Sequence, residues 1–360
     1  MKWVGIDKTC NFTLKERVLL TNFEKKDTMP IKNIRLEVMQ ALEPKVEGFM
    51  DSFLIKPEDI WQPTDFLPNS EKDTFLQEVK ELREESKDLG YDFWVTMVAD
   101  TITEEALPTY ESWLMDVVGI DQHGDYKTNG WAKWVRAWTA EENRHGDVLN
   151  KYLYLSGRVN MREVELTTQH LISDGFDIGT DRDPYKNFVY TSFQELATNI
   201  SHKRVGQLAK KKGNALLGKM CTIIAGDEMR HHLAYREFVK TIFGEDPSGM
   251  MIAFADMMKK KIVMPAHFLR ESGGTIGSAF ENFSNCAQRL GVYTAQDYVD
   301  ILAKLNAFWE LESMRSLNEE AEKARDYLLK LPARLERIAE RMKFPEDQYH
   351  FKWVEANGAL

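Results

Sequence analysis

Two Glu-x-x-His steps set the strongest constraint on this chain. Glu142-Asn143-Arg144-His145 follows a helix-forming stretch carrying Glu104 and Glu105, and Glu228-Met229-Arg230-His231 follows one carrying Glu195. On an α-helix, positions i and i+3 share a face, so each step aims a carboxylate and an imidazole at one point. Leu217, Cys221, Ile224, Glu228, His231, Tyr235 and Phe238 recur at spacings of three and four, as do Trp131, Trp134, Trp138, Glu142 and His145. Both steps therefore interrupt apolar faces and are expected to be buried. A buried carboxylate without a partner is costly, and a cation beside it offsets that desolvation. A metal ion accounts for both steps at once.

Two helices with single glutamates plus two with Glu-x-x-His form the ligand set of ferritin-like di-iron or di-manganese bundles. The expected fold is therefore all-α: a ferritin-like four-helix bundle with a di-metal site, extended by bracing helices. Spacing alone does not choose between Glu104 and Glu105, nor between the two metals. Glu195 has Thr198 and His202 on its own face at i+3 and i+7, placed to hydrogen-bond a ligand. Ordinary surface charges explain one Glu-x-x-His pair well, but two pairs set in apolar stripes poorly.

The chain has 360 residues and a net charge of −10, which argues against non-specific nucleic-acid binding. Three cysteines, Cys10, Cys221 and Cys286, form no disulfide framework and favour a reducing compartment. No run of 18 apolar residues exists, so no membrane span is expected. Residues 1–28 mix both charges without a long apolar segment, resembling neither a secretory signal nor a Ser-rich, acid-poor transit peptide. The expected organisation is an N-terminal extension over 1–28, a single helical domain over 29–345 and a tail over 346–360.

Prolines 57, 63 and 68 mark residues 55–70 as a loop, followed by an amphipathic charged helix over 71–89. Periodicity predicts the cage helices over 92–118, 131–157, 186–211 and 214–243, joined by Gly-, Asp- and Asn-rich loops at 119–130 and 173–185. Pro108 removes the hydrogen bond to the carbonyl of Glu104, which predicts a kink or a helix end there. Residues 250–264 form a Met-rich helix, suited to an acyl-shaped cavity or to ordinary core filling. Two or three further helices over 281–340 brace the bundle.

Particular motifs now carry a resemblance. They are Trp61-Gln62-Pro63, Ile102-Thr103-Glu104-Glu105-Ala106-Leu107-Pro108, the run from Arg136 to Gly146, the run from Lys151 to Gly157, Tyr190 to Glu195, Asp227 to His231, Met264-Pro265-Ala266-His267 and Arg289 to Tyr293. Over roughly residues 29 to 345 the chain resembles the soluble plant acyl-acyl-carrier-protein desaturases, di-iron enzymes of the plastid stroma. The resemblance selects Glu104 over Glu105 and iron over manganese. It implies two iron ions held by Glu104, Glu142, His145, Glu195, Glu228 and His231. It also implies an electron relay through Trp61, Asp227 and His145, a threonine near the oxygen site at Thr198, and an aromatic beside the ligands at Trp138.

The substrate tunnel implied by the resemblance falls on Trp113, Leu114, Val117, Ile178, Thr180, Phe188, Tyr190, Met264 and Phe280. Family members acting on eighteen-carbon chains typically have Met at Trp113, Leu at Val117, Pro at Ile178 and Gly at Asn187, so departures gather in this tunnel. Bulky Ile178 and Trp113 lead us to expect that a sixteen-carbon chain is used at least as well as an eighteen-carbon one. Glu281 matches a position usually acidic in enzymes that desaturate near the middle of the chain, at Δ9.

The implied activity is dioxygen-dependent insertion of a cis double bond into a saturated acyl chain carried on acyl carrier protein. Reduced ferredoxin is the implied electron donor, a homodimer the implied assembly and the plastid stroma the implied location. An acidic carrier requires a local basic patch, for which Arg230, Lys203, Arg204, Lys210 to Lys212 and Lys259 to Lys261 are candidates. Two other functions share the ligand set. An iron-storage or ferroxidase protein is usually little longer than its four-helix cage, whereas this chain adds about 180 residues. A radical-generating di-iron subunit needs a redox tyrosine near the metal, for which Tyr152, two turns from His145, is the candidate.

Overall fold

The structure is a computed structural model that describes residues 29–120, 128–342, 345 and 349–354. The expected N-terminal extension and Cys10 lie outside the described residues. The helices, in chain order, are α1 (Met29–Leu42), α2 (Val46–Phe53), α3 (Phe75–Glu85), α4 (Tyr91–Glu105), α5 (Leu107–Met115), α6 (Gly130–Ser156) and α7 (Met161–Asp174). They continue as α8 (Pro184–Lys211), α9 (Ala215–Glu245), α10 (Pro247–Lys260), α11 (Phe280–Arg289), α12 (Ala295–Phe308) and α13 (Glu319–Ala339). There is no strand among the described residues, and the expected all-α class is what folds. No helix among them is long and apolar enough to cross a membrane.

Four long helices, α4, α6, α8 and α9, form the bundle that positions the site. Their ends are written in the sequence. Asn129 caps α6 by accepting from Ala132 N, and Gly157 closes it in the left-handed conformation at φ 62. Asp183 caps α8, with Pro184 in its first turn and Lys210 and Lys211 in its last. Asn214 caps α9 after the short turn that reverses the chain. The antiparallel α8 and α9 cross closely at two glycines, where a Cβ on Gly206 would meet the Gly218 carbonyl at 3.1 Å and one on Gly218 would meet the Gly206 carbonyl at 3.0 Å.

The helix expected over 92–118 is two helices. α4 stops at Glu105, and Pro108 sits in the first turn of α5, where its missing N–H has no intrahelical role to lose. Of the two outcomes Pro108 allowed, the helix end is the one found. It fixes Glu104 in the last turn of α4, and Gly146 of α6 packs against that end. A Cβ on Gly146 would lie 3.0 Å from the Glu105 nitrogen and 3.1 Å from the Glu104 carbonyl carbon.

Periodicity does not announce α7, a short amphipathic helix whose buried face is Val164, Thr167, Thr168 and Leu171. Residues near the C-terminus pack beside it. Trp353 Nε1 donates to Thr167 Oγ1 at 2.8 Å, Phe351 stacks on Trp353 at 4.5 Å, and both rings are buried. The bracing region resolves into three helices, α11 to α13, of which α12 opens with a Thr294 and Asp297 capping box.

Candidate metal centre

The apolar stripes of α6 and α9 face each other and carry their polar interruptions into the bundle interior. His145 and His231 are fully buried, and Glu142, Glu195 and Glu228 nearly so. Two overlapping groups result: Glu104, Glu142, His145 and Glu228, then Glu142, Glu195, Glu228 and His231. Within each group the ligand atoms lie within 4.8 Å of one another. Glu142 and Glu228 belong to both, as two bridging carboxylates between paired metal ions would. Glu105, by contrast, turns away and accepts a hydrogen bond from Asn150 Nδ2 at 2.8 Å.

His145 Nδ1 lies 3.2 Å from both Glu142 Oε2 and Glu228 Oε1, and His231 Nδ1 lies 2.5 Å from Glu142 Oε1 and 3.6 Å from Glu195 Oε2. Despite these distances, both Nδ1 atoms and Glu142 Oε1 are buried without hydrogen-bond geometry to any partner. They converge on shared points rather than on each other. Electrostatics agree with the geometry. Burial and the neighbouring carboxylates push Glu195 well above the usual carboxylate range, and burial with Glu228 raises Glu104. Burial also opposes ionisation of Glu142, but His145 and His231 outweigh it and hold that carboxyl low. A cluster forced to store protons in this way releases them to a divalent cation, so these residues fit a di-metal site.

The far nitrogens of both imidazoles are held by carboxylates. Asp227 Oδ2 lies 3.3 Å from His145 Nε2, and Glu141 Oε2 lies 3.0 Å from His231 Nε2. Burial raises Asp227, yet His145 and Arg230 outweigh it and keep it ionised. Asp227 also accepts from Trp61 Nε1 at 2.9 Å, and the Trp61 ring stacks parallel to His145 at 6.1 Å, with the Arg144 guanidinium 4.5 Å from the ring's centroid. Thr198 and His202 do hydrogen-bond carboxylates of the cage, but on neighbouring helices rather than Glu195. Thr198 Oγ1 donates to Glu228 Oε2 at 2.6 Å, and His202 Nε2 lies 3.0 Å from Glu104 Oε1. Trp138 Nε1 donates to Glu195 Oε1 at 3.1 Å.

A cavity of about 480 Å³ reaches the cluster, with Glu104, Glu142, Glu228, Trp138 and Thr198 on its wall. Met264 and Phe280 line it. Trp113, Leu114, Val117, Ile178, Thr180, Phe188 and Tyr190 do not. Tyr110 stands on the wall with the Tyr190 phenol close enough to perturb it, and Trp113 packs edge-on against Tyr190 at 5.8 Å. Phe188 is taken up by an aromatic cluster with Trp131, Tyr235 and Phe238.

Two of the cations considered for carrier docking are already engaged. Arg230 bonds Asp227, Glu141 and the Phe53 carbonyl, and Arg204 forms a two-pronged pair with Asp297. Tyr152 is fixed by Ser86 and Asn214, at 2.9 Å and 2.7 Å, rather than bonded to the cluster.

The chain matches the fatty acid desaturase family over residues 34–355. It belongs to that family. As a desaturase it is an oxidoreductase, and its relatives include a chloroplastic stearoyl-acyl-carrier-protein 9-desaturase 5 of Arabidopsis thaliana, 49% identical over 333 residues, covering 91% of this chain and 83% of that protein. The chloroplastic stearoyl-acyl-carrier-protein 9-desaturase of Ricinus communis is 48% identical over 328 residues, covering 88% and 82%. Among solved structures, DesA2 of Mycobacterium tuberculosis aligns at a TM-score of 0.50 and 17% identity, over 80% of this chain and 99% of that one, a likeness of fold alone.

Proposed function

We propose that this desaturase acts on a saturated acyl chain carried on acyl carrier protein and uses two iron ions and dioxygen to insert a cis double bond. The observation that carries the reading is the placement of the carboxylate cage on the wall of a largely apolar cavity, of a size that holds a small-molecule ligand. An iron-storage cage has no need of such a cavity. Written for balance, two adjacent methylenes, dioxygen, two electrons and two protons give one alkene and two waters.

Glu104, Glu142, His145, Glu195, Glu228 and His231 would hold the iron, and iron bound there supplies the dioxygen chemistry. The chain's own residues do the rest. Asp227 and Glu141 fix the two imidazoles, so that Nδ1 of each faces the cluster. Thr198 holds its hydroxyl on Glu228 at the cavity wall, where it can move a proton at that carboxylate. Trp61, stacked on His145 and bonded to Asp227, offers a path for electrons from outside, with reduced ferredoxin as donor. The apolar wall orients the chain and excludes water. A homodimer is what the resemblance implies, and the chloroplastic relatives support the plastid stroma as its location.

The test is direct. Iron-loaded protein, reduced ferredoxin, dioxygen and sixteen- or eighteen-carbon acyl carriers are combined, and products are analysed by mass spectrometry after derivatising the double bond. Mono-unsaturated product near Δ9 is expected. Unchanged acyl chains with both carriers would refute the reading.

A further inference from the structure

We propose that Glu271 is a positioning residue for the acyl chain, acting through a C-terminal strap, residues 349–354, that it clamps to one wall of the cavity. This rests on the acyl-carrier reading above. Glu271 is not itself on the cavity wall, yet it is only 5% exposed, and the strap engages both of its carboxylate oxygens. Tyr349 Oη donates to Oε2 at 3.0 Å, and the Lys352 backbone N–H donates to Oε1 at 2.5 Å. Lys352 Nζ adds a bond to the Ser272 carbonyl at 2.6 Å. A carboxylate at this depth is costly without donors, and the strap supplies them.

The strap is tied on its other side to helix ends. Tyr91, the first residue of α4, donates its hydroxyl to the Tyr349 carbonyl at 2.9 Å and accepts the Phe351 N–H at 2.7 Å. Asn160, the cap of α7, donates its N–H to the Trp353 carbonyl at 2.7 Å. Beside Tyr91, Asp92 holds Arg289, the last residue of α11, through two bonds at 2.8 Å and 2.9 Å, and Arg289 also donates to the Pro345 carbonyl at 3.2 Å.

The other end of α11 is joined to Glu271 itself. Residues 271–278 fold back on themselves, with the Gly274 N–H on the Glu271 carbonyl at 2.9 Å and the Ala279 N–H on the Leu269 carbonyl at 3.1 Å. Ala279 leads directly into α11, so the clamp reaches that helix without slack. Between its two held ends, α11 presents Phe280, Phe283, Ser284, Ala287 and Gln288 to the cavity. Releasing the strap should therefore loosen the wall along which the chain lies. The cage is spared, because Glu104 stands at the opposite end of α4 from Tyr91.

Amide hydrogen exchange of the full iron-loaded chain, together with KM and kcat for stearoyl-acyl carrier protein, tests this. Glu271→Gln and Tyr349→Phe should each speed exchange across Phe280–Arg289 by about 3-fold to 10-fold and raise KM by about the same factor, with iron content and kcat unchanged. The double variant should do no more than Glu271→Gln alone, because both changes break the same clamp. Ser86→Ala, which removes a buried hydrogen bond to Tyr152 outside the strap, should lower the unfolding midpoint and leave KM as it was. Unchanged exchange in α11, faster exchange with an unchanged KM, or an equal rise of KM in Ser86→Ala overturns the proposal. If the unaltered protein desaturates no acyl carrier, the acyl-carrier reading fails and the positioning role with it, while exchange across α11 still reports whether the clamp holds that helix.

Discussion

Glu141 Oε2 lies 3.0 Å from His231 Nε2, so the residue just before one candidate ligand glutamate orients the candidate ligand histidine of the facing helix. Asp227 does the same in the opposite sense for His145. Arg230 bridges the two carboxylates, reaching Glu141 Oε2 at 2.6 Å and Asp227 Oδ1 at 2.7 Å, and Arg144 reaches Asp227. The cage is therefore braced by a crossed pair of acid and arginine residues, not by its ligands alone.

Glu141→Gln should keep the fold but lower iron affinity by roughly 10-fold to 100-fold, the usual cost of removing a carboxylate behind a metal-bound imidazole. Glu105→Gln, whose side chain faces Asn150, should bind iron as before. Titration of metal-free protein with ferrous ion, followed by absorbance, separates the two.

This bracing was partly legible. Glu141-Glu142-Asn143-Arg144-His145 and Asp227-Glu228-Met229-Arg230-His231 share an acid before the glutamate and an arginine before the histidine. Reading each motif as five residues rather than four would have found Glu141 and kept Arg230 off the surface. The burial and clustering of Glu142, His145, Glu228 and His231 were legible because a 3–4 apolar spacing running through a charged residue is unusual. The break after Glu105 was only half legible, since Pro108 permits both a kink and a restart. The tunnel was the least legible part. Which rings fill the space between α5 and α8 depends on packing of Tyr110, Trp113 and Tyr190, and no local pattern encodes that.

Gly146→Ala tests how closely α6 must approach the ligand helix. The added Cβ would press on the backbone of Glu104 and Glu105 at about the contact limit, so overpacking of about 1–3 kcal/mol is expected. Iron occupancy should fall with it, because Glu104 moves with that backbone. Thermal unfolding and iron content on the same sample check both.

Asp100 faces the cavity one turn before Glu104, and burial raises its carboxyl to about 7, with His202 opposing and Glu104 adding to the shift. The folded chain thus holds this proton more tightly than the unfolded one. Its stabilising contribution is complete below about pH 4 and is lost as pH rises to about 7, a change of roughly 2–4 kcal/mol. Denaturant unfolding of metal-free protein across that window should show the fall, and Asp100→Asn should flatten it.

Chain-length preference should respond to Trp113, which packs on Tyr190 behind the cavity wall. Trp113→Met opens space, and a methylene at a closed apolar end is worth about 1–3 kcal/mol. The unaltered enzyme should use a sixteen-carbon carrier at least as well as an eighteen-carbon one, and the variant should shift toward eighteen by roughly tenfold in kcat/KM. Competition between the two carriers measures the ratio.

Iron content of the folded, fully loaded protein tests the central claim most directly. Two overlapping ligand groups sharing Glu142 and Glu228 predict two irons per chain, with Glu195→Ala and Glu228→Ala each losing metal while Glu105→Ala retains it. A loaded, folded sample holding none or one would contradict the di-metal cage and the chemistry built on it.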